Sequence, residues 1–209
     1  MLITIGTPHS GIMVPEYIMS LCQTLMDSGG NGFEILHYEG CYVHSLRNLL
    51  MENAKGDYLL FIDSDMKWSP SNIVSLIRAE KPIIGGLYYK RRFPYGPVVY
   101  RYDGGKGTFD PLKSVPERLF QCDGIGTGFL LIHRSVIDKF KSPELQADWG
   151  LPFDPIKVES PGVAGSYYMG EDLSFCAKAK TLGIEIWCDP ETLVKHVGRG
   201  EVGGALYVV

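Results

Sequence analysis

The sequence predicts an α/β fold, a mostly parallel central sheet with helices on both faces, and three observations carry that prediction. Strand and helix patterns alternate β-α-β-α-β-α-β over the first 90 residues or so. Tyr58-Leu59-Leu60-Phe61-Ile62 is a continuous apolar run between polar residues, the expected form of a parallel strand covered on both faces. The helical stretches carry apolar residues three and four apart and stop at glycine or a polar turn. Such a pattern places a ligand crevice at the carboxyl ends of the strands.

In chain order, Leu2 to Thr7 is a strand broken by Pro8-His9-Ser10-Gly11, where backbone and hydroxyls suit a base or ribose. Val14, Ile18, Leu21 and Leu25 mark the buried stripe of a helix that Gly29-Gly30 ends. Phe33 to Tyr38 is a second strand, and Val43, Leu46, Leu49 and Leu50 mark a second helix closed by Lys55-Gly56-Asp57. The apolar run 58–62 follows, then a helix opened by Ser69-Pro70-Ser71 and carrying Ile73, Leu76 and Ile77. Ile83-Ile84 and Leu87-Tyr88 form the next strand. Beyond it, Val98 to Tyr102 and Phe129 to Ile132 are strands, and Ser135 to Phe140 is a short helix. Residues 141 to 168 hold four prolines and little periodicity, so a long loop is expected, with Trp149 and Phe153 placed to close over a substrate. Gly170-Glu171-Asp172 opens the last helix, and Ile184 to Cys188 is the last strand.

Length and composition narrow the class. At 209 residues one compact domain suffices, and 45% hydrophobic with 21% charged residues excludes a disordered chain. A net charge of −4 argues against a general affinity for nucleic acid. Five scattered cysteines without C-x-x-C spacing argue against a disulfide framework or a zinc ribbon, and point to a reducing cytoplasm. The first residues lack the basic flank of a signal peptide, and no apolar run approaches the ~20 residues of a membrane span.

Three groups can carry chemistry. Asp63-Ser64-Asp65 directly follows the buried strand, and on an extended backbone residues i and i+2 point the same way, so both carboxylates would face the crevice. Their oxygens suit Mg²⁺ or Mn²⁺, ions commonly shared with substrate phosphates; the plain alternative is a solvated acidic turn or a helix cap. Glu171-Asp172 opens a helix, whose positive end favours the ionised state that a general base needs, or the pair simply caps it. His196 with Arg199 sits among glycines after the last strand, where imidazole can complete a metal site with Asp65 and guanidinium can bind phosphate. Arg47-Asn48 either reaches a diphosphate or forms a solvated helix face, and Lys90-Arg91-Arg92 suits a phosphate or is merely solvated. Gly124 to Gly128 is glycine-rich but precedes a strand, so it fails the context of a dinucleotide or P-loop fingerprint.

Taken in order, Arg47-Asn48, Gly56 to Met66, Gly126 to Arg134, Gly170 to Cys176, and Asp189-Pro190 with His196-Val197-Gly198 resemble the nucleotide-sugar glycosyltransferases of the GT-A fold, most closely glycosyltransferase family 2. The resemblance covers nearly the whole chain and implies a three-layer α/β/α sandwich. It implies one catalytic domain over 1–209, with residues 1–90 as the nucleotide-binding half and 91–209 as the acceptor-binding half. It further implies a metal-dependent, inverting transfer of a sugar from a nucleotide-diphosphate donor, commonly a uridine diphosphate sugar, to a glycan or other hydroxyl acceptor. By resemblance, Asp63 and Ser64 contact the donor, Asp65 and His196 hold Mn²⁺ or Mg²⁺, and Asp172 is the general base. Thr7 and Pro8 border the nucleobase, Arg47 and Arg199 contact the diphosphate, and Gly126, Trp149 and Glu171 meet the acceptor. Two other readings stay open: a haloacid-dehalogenase-like phosphohydrolase with Asp63 as nucleophile, and a nucleotide-sugar-binding module without turnover. For the first, Lys67 stands where that family expects Thr or Val.

Overall fold

Alternate residues of the apolar run 58–62 belong to two different cores, and this organises the molecule. In the computed structural model, Leu59 and Phe61 point into one hydrophobic cluster and Leu60 and Ile62 into another, all fully buried. The structure describes residues 1–198 apart from 28, 92, 94, 106 and 160–165, together with the backbone of 201–202 and 205–206.

The first half runs β1 (Leu2–His9), α1 (Pro15–Met26), β2 (Gly32–Glu39), α2 (Val43–Asn53), β3 (Tyr58–Ile62), β4 (Met66–Lys67), α3 (Pro70–Arg78) and β5 (Ile83–Leu87). The second continues with β6 (Val99–Asp103), β7 (Thr108–Pro111), β8 (Phe120–Cys122), β9 (Gly124–Ile125), β10 (Phe129–His133), α4 (Arg134–Phe140) and α5 (Pro143–Trp149). After these come β11 (Lys157–Glu159), β12 (Ser166–Tyr168), α6 (Glu171–Thr181), β13 (Ile186–Leu193) and β14 (Lys195–His196).

Among the described residues the main sheet has seven strands in the order β2-β1-β3-β10-β5-β13-β8. β1, β2, β3, β5 and β13 share one direction, while β10 and β8 run against them. The sheet is thus mostly parallel, as expected, but β3 and β5 are not neighbours. β10, from the second half of the chain, is inserted between them, so both halves share one sheet. The side chains of α2, α4 and α6 fill the cluster that receives Leu59 and Phe61, and those of α1 and α3 fill the other, completing three layers. No helix among the described residues is long and apolar enough to cross a membrane.

Three expectations are corrected. Of the expected stripe, Val14 and Leu21 are partly buried against the core but Ile18 and Leu25 are exposed, and the fully buried positions of α1 are Tyr17, Ser20 and Thr24. This polar face can be buried because it is satisfied: Trp68 donates its backbone N–H to Ser20 Oγ (3.2 Å) and its indole N–H to Thr24 Oγ1 (2.9 Å). Residues 141–168 are not one long loop, since they contain α5 and the β11–β12 ladder. Phe153 does not cover a substrate: it is 0% exposed, stacked on Phe175 at 4.6 Å and edge-on to Phe61 at 5.2 Å. Its segment is pinned from both sides, with Phe153 N–H donating to Asn48 Oδ1 (2.8 Å) and Lys178 Nζ to the Leu151 and Asp154 carbonyls.

Candidate active site

β3 delivers Asp63 to the carboxyl edge of the sheet, and the chain turns there at once. The Met66 N–H donates to the Asp63 carbonyl (3.1 Å), closing a β-turn around Ser64 and Asp65. The premise of an extended backbone is therefore corrected, and the two carboxylates have different partners. Asp63 Oδ1 accepts from Arg47 Nη2 at 2.8 Å. Asp65 Oδ2 lies 3.3 Å from His196 Nε2 and also accepts from Arg91 Nη1. Ser64 offers its carbonyl to the Val14 N–H (3.0 Å), tying the turn to the start of α1.

His196 reaches Asp65 through backbone pairing. β14 runs antiparallel to β4 with His196 opposite Met66, and the Val197 N–H donates to the Asp65 carbonyl at 2.7 Å. His196 Nδ1 lies 3.3 Å from the Tyr89 carbonyl. A carbonyl only accepts, so this contact puts a proton on Nδ1 and leaves Nε2 to face Asp65. A carboxylate oxygen and an imidazole nitrogen this close need positive charge between them or on one of them. Their spacing matches two adjacent ligands on one divalent ion, which lie roughly 3 Å apart for bonds of about 2.1 Å. Both side chains are 19% exposed, open enough for an ion to enter. Among the described residues no group of three His, Cys, Asp or Glu side chains converges, so other positions on such an ion would fall to substrate oxygens or water. Burial pushes the Asp65 carboxyl up, but the hydrogen bond and charge of His196, then Arg91, outweigh it and hold it below its usual value.

Asp172 stands at the start of α6, its Oδ1 accepting from the Leu173 N–H at 2.8 Å. Burial, and then the Glu171 carboxylate, push its pKa up to about 6. Desolvation thus outweighs the helix end that the sequence suggested would keep it acidic, and the result lies close to neutrality. Glu171 Oε1 is 3.6 Å from Arg47 Nε, which also belongs to the Asp63 pair. Arg47 is 3% exposed and Asn48 is also buried, so they are not a solvated helix face. Arg47 is a buried counterion shared by Asp63 and Glu171, and its Nε and Nη1 have no hydrogen-bond partner among the described residues.

The remaining predicted residues fall into place differently. β1 continues to His9, so the expected strand end at Thr7 moves two residues on. Thr7 is internal, with its Oγ1 2.5 Å from Tyr17 Oη, and Pro8 is buried opposite Tyr38. His9 is the partly exposed residue at that end, with Nε2 3.2 Å from His37 Nδ1. Gly126 is required by packing, because a Cβ there would fall 2.2 Å from Tyr88 Oη and 2.4 Å from Val98 Cγ1. Tyr88 Oη in turn accepts from the Gly128 N–H at 2.9 Å, beside Asp63. Trp149 ends α5, which lines a groove with α2 and α4 through Gln146, Asn48 and Phe140. Arg199 lies outside the described residues. Arg91, read from sequence only as part of a basic run, is the residue brought into the site without a sharp sequence signal.

No family profile matches the chain, and no curated protein sequence does. Similar folds are found among solved structures. The structure of A197 from STIV superposes with a TM-score of 0.56 at 19% identity, over 93% of this chain and 84% of that one. GalNAc-T7, solved with UDP, GalNAc and Mn²⁺, superposes with a TM-score of 0.52 at 12% identity; 97% of this chain matches 43% of that one. The chain has the GT-A fold.

Proposed function

We propose that the chain is a glycosyltransferase that moves a sugar from a nucleotide-diphosphate donor to an acceptor hydroxyl, with inversion at the anomeric carbon. The observation that supports it most is the convergence of Asp65 and His196 at 3.3 Å beside the carboxyl edge of a GT-A sheet. Uridine diphosphate sugars are the first donors to try, since GalNAc-T7 is seen with UDP and Mn²⁺. Asp65 and His196 would hold a divalent cation, Mn²⁺ ahead of Mg²⁺ because of the imidazole, which when bound neutralises charge on the departing diphosphate.

The chain's own groups account for the rest. Asp172, with a pKa of about 6, takes the acceptor proton as the acceptor oxygen bonds to the anomeric carbon. The bond from that carbon to the diphosphate oxygen breaks, and its electron pair leaves with the nucleotide. Attack opposite the leaving group inverts the centre. Arg47 balances Asp63 and Glu171, so that the acids around Asp172 do not raise its pKa further. Residues 1–90 would then serve the nucleotide and 91–209 the acceptor, with Glu171 bordering it; a cytoplasmic location belongs to the same reading. Mass-detected transfer from a donor panel with Mn²⁺ tests it: activity must appear with some donor and vanish in Asp172→Asn and Asp65→Asn proteins that remain folded.

A further inference from the structure

The segment between β5 and β6 is a hairpin folded onto the proposed cation site. Its base is closed by the Val98 N–H to the Tyr88 carbonyl (3.1 Å) and the Lys90 N–H to the Gly96 carbonyl (3.0 Å). Tyr89 supplies the carbonyl beside His196 Nδ1, and a Cβ at Gly198 would sit 3.3 Å from Arg91 Cβ. Arg91 is 48% exposed, yet it donates Nη1 to Asp65 Oδ2, the same oxygen that faces His196 Nε2. A divalent cation between Asp65 and His196 would draw on the same oxygen, so the guanidinium and the cation compete for its negative charge.

We infer that Arg91 is a diphosphate-binding residue that exchanges partners, giving up the Asp65 carboxylate to a divalent cation and taking the donor's diphosphate instead. The inference rests on the proposed function, because the cation between Asp65 and His196 is what brings a diphosphate within reach. Two physical reasons support it. A guanidinium displaced from a carboxylate needs a new anion, and a phosphate offers the same two-oxygen geometry. The Arg91 side chain is half-exposed, so its guanidinium is open to solvent and to a ligand arriving at the site.

The test measures Mn²⁺ alone by its electron paramagnetic resonance signal, and UDP at saturating Mn²⁺ by calorimetry, in wild type, Arg91→Gln, Arg91→Lys and Asp65→Asn. Removing a competing, partly exposed ion pair should tighten Mn²⁺ binding by about three- to fivefold in Arg91→Gln. Losing a charge-assisted phosphate contact should weaken UDP by about tenfold or more. Arg91→Lys should restore competition with Mn²⁺ but only part of the UDP affinity. If Mn²⁺ binds wild type, is lost in Asp65→Asn, and either Arg91→Gln affinity is unchanged, the inference is overturned while the proposed function stands. If neither wild type nor any variant binds Mn²⁺, the proposed function fails and the inference with it.

Discussion

Asp65 and His196 lie 131 residues apart in sequence, yet the β4–β14 ladder, with His196 opposite Met66, brings their side chains to 3.3 Å. The contact is built from backbone hydrogen bonds, so the two groups are positioned before any ligand arrives.

The raised pKa of Asp172 predicts a pH profile. Transfer rate should rise with pH through a midpoint of about 6 and then level off, since only the carboxylate accepts a proton. Stability should move the other way. The folded state holds this proton more tightly than the unfolded chain, so its contribution is fully present below the unfolded pKa of about 4 and is lost as pH rises through about 6. Asp172→Asn should therefore melt higher than wild type at pH 7.5 and lose that advantage near pH 4, while its transfer rate falls by about 10²- to 10⁴-fold.

Arg47→Met keeps much of the side-chain volume and removes the counterion of Asp63 and Glu171, whose side chains are 29% and 23% exposed. Urea denaturation should show a loss of about 1–3 kcal/mol. Arg47 also draws the Asp172 pKa down, so the midpoint of the pH–rate profile should shift upward in this variant. A merely structural arginine would lower stability and leave that midpoint in place.

Phe153→Ala tests the packing of the segment after α5. Phe153 joins Phe61 of β3 to Phe175 of α6, three rings in one cluster. Its truncation should cost about 3–5 kcal/mol in urea denaturation. A change near zero would mean that the segment is not part of the core.

The layers of the fold were legible because burial on both faces leaves a continuous apolar run such as 58–62, and because glycine and proline punctuate the helices. The position of β10 was not, since strand order depends on long-range pairing that no local pattern records. α1 misled for a related reason: Ser20 and Thr24 look like surface residues until Trp68 is packed against them. In the site, Asp65, His196 and Asp172 could be singled out by their place at element ends. The β-turn at Ser64-Asp65 is local and is the plain alternative to an extended triplet, whereas the burial of Arg47 and the pairing of Arg91 with Asp65 depend on tertiary contacts that the local sequence does not record.

The central claim is that Asp65 and His196 hold a cation for a nucleotide diphosphate. Calorimetric titration of UDP into the protein, with and without Mn²⁺, tests it most directly when repeated on Asp65→Asn and His196→Ala. The account predicts binding that depends on Mn²⁺ in the wild type and is lost or greatly weakened in both variants, with their melting curves still cooperative. UDP binding indifferent to Mn²⁺ and to both substitutions would contradict it.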